Sequence, residues 1–375
     1  MSKIVVLGAG PAGCSAGYHL AKSGHQVTLI DKASFPRDKI CGDGISFESV
    51  QALFSLGIYP QDIKRLMSEY APIRGLLLGI SNGDSHMQTT EIEGYCIPRF
   101  EFDYLLYQQA VNAGCVPRTQ AITDIERYHQ DLYNDFDHII DARGVYAGEA
   151  NAIAIRAYWT VKLEAFPEPY CSKAHIYFDK KLGVHGYGWI FPVAVKAEVV
   201  KLNVGVGVWL DEYQKLNTNI IHLFDQFVQD NEIAKMLKSN IVSQQKPRAY
   251  PLATAKARNK VSNGKILKIG DAANLTDPLT GEGIANALLS GLQVAQAINM
   301  SVTPEAAAEN WQRLYQTHFE DDLRTGLSLK SLRKFFFVNK LLISLMKRNH
   351  RFAEQAMYAI SGLVSYKEAL PSLRI

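Results

Sequence analysis

The hydrophobic positions at the start of the chain are contiguous rather than alternating. Lys3–Leu7 reads Lys-Ile-Val-Val-Leu, a β-branched run suited to a parallel strand covered on both faces. Gly8-Ala9-Gly10-Pro11-Ala12-Gly13 follows at once, then a helical spacing through Ala16, Tyr18, Leu20 and Ala21 that ends at Gly24. A second strand is predicted over residues 26–30, stopping at Asp31. Further along, residues 75–80 and 86–92 flank the turn Ser81-Asn82-Gly83-Asp84, a hairpin signal. Strands are also predicted over 154–163, 175–178, 188–193, Val199–Trp209, His138–Asp141 and 265–269. Helical spacing covers 101–113, 217–237 and 284–300, and an amphipathic stretch runs over 305–318.

Strand, glycine turn, helix, strand, acid is a dinucleotide-binding order, and each part has a physical job. Gly8 permits the tight turn, Gly10 lets a pyrophosphate approach the backbone, and Gly13 lets helix and strand pack closely. The helix N-terminus faces the phosphates, with Pro11 and Ala12 in its first turn, and Asp31 accepts from ribose hydroxyls. No second fingerprint of this kind follows, so one tightly held dinucleotide is expected. The 265–269 strand leads into Gly270-Asp271, then Asp277-Pro278-Leu279-Thr280-Gly281-Glu282-Gly283 and the helix from Ile284. A glycine-rich loop opening a helix aims N–H groups and a positive dipole at an anionic ring edge.

These segments resemble a known group. Gly270-Asp271 with Asp277-Pro278-x-x-Gly281-x-Gly283 is similar to the flavin motif of p-hydroxybenzoate hydroxylase-type FAD proteins. Ile97-Pro98-Arg99-x-x-x-Asp103-x-x-Leu106 resembles that group's arginine segment. Within the group the resemblance is to the geranylgeranyl reductases. Phe35-Pro36-Arg37-Asp38-Lys39-Ile40-Cys41-Gly42-Asp43-Gly44 is similar to their cysteine-glycine loop, and Gly186-Tyr187-Gly188-Trp189-Ile190-Phe191-Pro192 to their PxxYxWxFP motif, with Val184 where the leading proline stands. One segment departs. Ile139-Ile140-Asp141-Ala142-Arg143-Gly144 keeps the group's mid-chain acid but has Ala142 in place of glycine, as in lycopene cyclases.

The resemblance implies an α/β fold. A discontinuous Rossmann-type FAD-binding domain (1–72, 96–155 and 252–300) joins a β-sheet substrate domain (73–95 and 156–251) and a C-terminal helical region (301–375). It implies FAD held by Gly8, Gly10, Pro11, Ala12, Gly13, Asp31, Lys32, Arg37, Cys41, Gly42, Arg99, Asp141, Gly270, Asp271, Pro278, Gly281, Glu282, Gly283 and Ile284. The implied activity is reduction of carbon–carbon double bonds in an isoprenoid chain, by hydride transfer from N5 of reduced flavin. NAD(P)H or a ferredoxin-type protein would be the reductant. A monooxygenase or halogenase acting on a small aromatic or carrier-bound substrate is the alternative reading, and a non-redox isoprenoid cyclase a lesser one. The halogenase WxWxIP segment differs from Tyr187-Gly188-Trp189-Ile190-Phe191-Pro192.

Candidate chemistry lies in the two motifs that face the flavin in this scheme. Cys41 is either a small buried residue without chemistry or a group on the reactive face that donates a proton. Asp43 reads as a loop N-cap in preference to an acid catalyst. Tyr187 and Trp189 share one strand face. They are either sheet core or a wall for an apolar substrate, with Tyr187 as a hydrogen-bond donor, Gly44, Phe191 and Pro192 beside them, and Gly186 and Gly188 leaving space. His175 and His185 read as structural or surface residues, and no metal site is expected.

Composition narrows the classes. With 375 residues, 47% of them hydrophobic, the chain is neither disordered nor fibrous. A net charge of +3 does not mark a dedicated nucleic-acid binder. The five cysteines are scattered, which suits a reducing compartment and a cytoplasmic location. No uncharged apolar run reaches the ~20 residues a bilayer requires, and no signal-peptide layout opens the chain. Residues 333–348 are apolar on most sides and flanked by bases. They read as a helix packed on the FAD domain or as an interfacial helix making peripheral membrane contact.

Overall fold

The structure, a computed structural model, describes residues 1–372 apart from Met67, residues 126–131, Tyr133, Val184 and Lys334. The proline-equivalent position at Val184 therefore lies outside the described residues, as does Lys334 of the basic apolar segment. Two sheets organise the rest. The first runs Ser262–Asn263, Ile266–Lys268, His138–Asp141, Lys3–Leu7, Gln26–Asp31, Val116–Thr119 in space, parallel except at its first pair. Helices Pro11–Lys22 and Ile284–Asn299 pack against each other beside this sheet. Ile4, Val6, Leu20 and Leu267 are among the buried residues of their common core.

The second sheet is antiparallel over most of its width. Its order is Ile241–Gln244, Ala152–Lys162, Val199–Trp209, Tyr187–Lys196, Ala174–Phe178, Pro72–Ile80, Ser85–Cys96, Gly44–Ile45, with Arg248–Leu252 also paired to Ala152–Lys162. Its back face is covered by helix Ile220–Asp230. That helix buries Leu223, Phe224 and Phe227, each contributing roughly 1.5–3 kcal/mol. The stretch predicted as one helix over 217–237 is two, because Asn231 leaves the helical conformation and its side chain accepts from Ala234 N at 2.9 Å to cap Glu232–Lys238. The amphipathic stretch forms Pro304–Tyr315, continues through a wider π turn at Gln316–Glu320, and resumes as Asp321–Leu332.

The segment 333–348 is not one helix. Arg333 ends the preceding helix and is buried, donating to Asn339 Oδ1 at 2.8 Å, so it is no exposed flanking base. Helix Phe337–Arg348 buries Ile343 and Met346, the latter in a cluster with Leu78 and Phe352, while Phe335, Phe337 and Leu341 stay exposed. Among the described residues no helix is long and apolar enough to cross a membrane.

Candidate functional site

One open cavity of about 530 Å³ lies where the carboxyl ends of Lys3–Leu7 and Gln26–Asp31 meet the front face of the second sheet. This is the place where open α/β sheets take ligands. Gly8 turns at φ +100°, and a Cβ there would sit 2.2 Å from Ala142 O. A Cβ on Gly13 would sit 1.8 Å from Gly8 O, so this glycine serves helix–strand packing and is not on the cavity wall. In front of Gly10 the space is open: among the described residues beyond its own helix start, Arg37 Nη2 alone comes within 4 Å, at 3.7 Å from the position a Cβ would take. Helix Pro11–Lys22 begins there without a side-chain cap, which leaves its first-turn donors facing the cavity.

Charged groups around this turn are held in place. Asp31 accepts from Ala9 N at 2.7 Å and from Ala33 N at 3.0 Å. Lys32 lies 3.8 Å over the Tyr146 ring. Buried Arg99 grips Asp103 with two bonds of 2.5 and 2.8 Å, and Arg37 reaches the same carboxylate at 2.5 Å. Burial pushes Asp103 up, but the two guanidiniums outweigh it and hold the carboxyl below its ordinary range. The open cradle at Gly10, the uncapped helix start and Arg37 fit a dinucleotide pyrophosphate, with Asp31 placed for a ribose.

Asp141 is placed differently. It is buried at the end of its strand and paired with Arg143 at 2.9 Å, outside the cavity lining. The second glycine loop also differs from expectation. Gly270 faces Ala12 Cβ across a close contact, and Pro278 packs on Gly326, so neither lines the cavity. Asp271 does line it, paired to Lys39 at 3.3 Å and accepting from Thr276 at 2.9 Å. Gly281, Glu282, Gly283 and Ile284 reach the wall as well. Glu282 Oε1 accepts from Ile284 N at 2.9 Å and Ala285 N at 3.0 Å. The helix start expected to offer these donors to a ring edge has therefore spent two of them on its own side chain.

The front face of the second sheet forms the opposite wall. Tyr187, Trp189 and Phe191 make a ladder with successive ring centroids 6.1 Å apart. Tyr187 OH donates to Thr280 O, which ties the ladder to the second glycine loop. Pro192 lies outside the cavity lining, since its place along the strand turns it to the other face. Gly188 and Gly186 do not open space beside the wall either. A Cβ on Gly188 would meet Phe227 at 2.3 Å on the back face, and one on Gly186 would meet Leu182 O at 2.0 Å. The space comes from Gly207 on the next strand, opposite Tyr187 in register, whereas Gly205 is covered by the Trp189 ring, 2.2 Å from where its Cβ would sit.

Asn203, missed from sequence, is the hub of this wall. It is fully buried, accepts from Trp189 Nε1 at 2.9 Å, and donates to Cys41 O at 3.1 Å and Asp43 Oδ2 at 2.9 Å. Tyr158 donates to the same Asp43 oxygen, while Asp43 Oδ1 has no partner among the described residues. Asp43 is thus not a helix cap; Ser46 caps the next helix. Burial pushes the Asp43 carboxyl up to about 6, against the pull of Tyr158, Arg156 and Asn203. Cys41, Gly42 and Gly44 line the cavity, and a Cβ on Gly42 would sit 3.6 Å from the Phe191 ring. His175 and His185 are both buried and bonded, His175 to Tyr177 OH at 3.1 Å and His185 to Lys330 O at 2.8 Å. The one sequence signal for Asn203 was a lone amide in an otherwise apolar run.

Family models match two parts of the chain: FAD dependent oxidoreductase over residues 3–49 and geranylgeranyl reductase catalytic domain over 158–246. The chain is 27% identical to digeranylgeranylglycerophospholipid reductase 1 of Methanopyrus kandleri, over 86% of each chain. It is 27% identical to the menaquinone reductase of Mycolicibacterium smegmatis, over 84% of this chain and 80% of that one. In fold it is similar to a geranylgeranyl bacteriochlorophyll reductase-like protein from Thermoplasma acidophilum. There the TM-score is 0.74 at 19% identity, with 99% of this chain and 98% of that one covered.

Proposed function

We propose that this chain, a geranylgeranyl reductase-like FAD-dependent oxidoreductase, reduces carbon–carbon double bonds of an isoprenoid chain laid along the Tyr187–Trp189–Phe191 ladder. One observation carries the reading: the ladder and the neighbouring Gly207 open onto the same cavity as the dinucleotide turn. Bound and reduced, FAD supplies the hydride. The protein's own groups do the rest. An isolated alkene is a poor hydride acceptor, so orientation and exclusion of water must lower the barrier. The rings present a flat apolar surface, and Asn203 and Thr280 lock two of them by hydrogen bonds. Cys41, on the loop facing that wall, carries a transferable proton for the second alkene carbon.

The test is anaerobic. The holoenzyme is bleached with dithionite and mixed with a geranylgeranyl lipid under nitrogen. The yellow colour is expected to return as the product gains a hydrogen pair. Colour that returns only when air is admitted would turn the reading to oxygen-dependent hydroxylation or halogenation. We take the reductant to be NAD(P)H or a ferredoxin-type protein, and turnover with each donor in turn separates them. A lipid substrate also gives the exposed Phe335, Phe337 and Leu341, beside exposed Lys340, a peripheral contact with a membrane surface.

A further inference from the structure

Beyond the aromatic ladder, the front face of the second sheet changes character. Arg156 stands in the same row as Trp189, with Gly205 between them. On the next strand Arg248 lies directly opposite Arg156 in register. Like charges facing each other across an antiparallel pair repel, so this placement calls for a counter-charge. The described ion pairs supply one carboxylate to both. Asp38 Oδ2 is 3.4 Å from Arg156 Nη2 and 3.4 Å from Arg248 Nη1. Both distances exceed the roughly 2.7–2.9 Å of a good charge-assisted bond. Arg156 is 1% exposed, and among the described residues its Nε has no partner. Its guanidinium lies 4.1 Å over the Tyr158 ring, with the Lys201 ammonium 4.7 Å from the same ring. Asp43, the other nearby acid, has one oxygen committed to Tyr158 and Asn203. Both arginines line the cavity, and the Arg248 side chain is 60% exposed at its rim.

We infer that Arg156 and Arg248 form a seat for a phosphate group, separate from the Gly8–Gly13 turn, and that its occupant is the head group of the lipid substrate. Guanidinium forks match phosphate oxygens in pairs. The seat lies two strand spacings, about 10 Å, from Trp189 along one row. A phosphate anchored there sends its chain along the cavity wall past Gly207 to the aromatic ladder. The inference rests on the alkene-reductase reading and deepens it. It favours a prenylated phosphate or phospholipid over a neutral prenylated quinone, the two kinds of substrate in the relatives' names.

The test reads binding, without turnover, so it is independent of whether reduction occurs. Holoenzyme and its R248Q, R248K and R156K variants are titrated by tryptophan fluorescence with geranylgeranyl phosphate, geranylgeraniol and NADPH, with FAD content measured in each. R248Q is expected to weaken the phosphate about 10-fold, with the alcohol changed less than about twofold and R248K intermediate. Equal changes for phosphate and alcohol, or none, overturn the seat. A loss confined to NADPH overturns the lipid assignment. Arginine-dependent binding of the phosphate without any reduction leaves the seat standing and sinks the reductase reading instead.

Discussion

The two glycine-rich turns that open helices onto the cavity are built on opposite plans. At Gly8–Gly13 the backbone does the work: the helix start has no side-chain cap, and the space before Gly10 is open. At Asp277–Gly283 the helix start is closed on itself, with Glu282 holding the N–H groups of Ile284 and Ala285. The first is a preformed anion site whose charge complement must come from a ligand. The second carries its own carboxyl, set close to further acids. Burial pushes Glu282 up to about 7, and Glu48 beside it up to about 8, the latter raised further by Glu282, Asp322 and Asp277. Similar glycine spacing therefore serves ligand capture in one place and internal capping in the other.

The largest effect should come from breaking the first turn. A Gly10→Asp side chain has room, so the fold should survive, but its carboxylate would occupy the phosphate position. FAD affinity is expected to fall by more than about 100-fold, with the circular dichroism spectrum unchanged. Fluorescence titration of FAD into the apoprotein measures it. The second turn should show the reverse. Glu282→Ala removes the cap of Ile284–Asn299 and should cost about 1–2 kcal/mol of stability while FAD affinity changes by less than about fivefold. Urea unfolding and the same titration check this pair. Equal losses of FAD affinity in both variants would erase the contrast.

The difference in plan also explains what could be read from sequence. The first turn is local: strand, glycines, helix and Asp31 lie within one short stretch, and each residue's job follows from its neighbours. The second turn's glycines were equally visible. That Glu282 caps its own helix, and that Glu48 lies against it, depends on how a distant segment packs. The sheet wall follows the same rule. Tyr187, Trp189 and Phe191 declare a shared face by alternation alone. Which face is covered does not follow from alternation, so Gly188 was placed beside the cavity when it meets Phe227 on the back. Asn203, Arg156 and Arg248 acquire partners only through the register of strands far apart in sequence. The residues 333–348 split for a similar reason: Arg333 turns inward to Asn339, which periodicity does not record.

The smallest expected effect is the sharpest test of the acid-rich second turn. Glu48 has an ordinary pKa of 4.5 in the unfolded chain and is pushed up to about 8 in the fold, burial first and neighbouring acids second. The folded protein therefore keeps a proton that the unfolded chain has released. Stability from this group is complete below the unfolded value and is lost as pH rises through the folded one. Glu282, pushed up to about 7, acts in the same direction. Half-buried His19 and buried His175, each lowered to about 4 by burial, act oppositely but only below their ordinary 6.5. Between pH 6.5 and 8 the acids should dominate, and the wild-type thermal midpoint should fall. Glu48→Gln keeps the shape and removes the titration. It should flatten that fall, with little change at pH 5. A fall of unchanged slope in Glu48→Gln would show that Glu48 is already ionised in the fold and does not set the pH dependence.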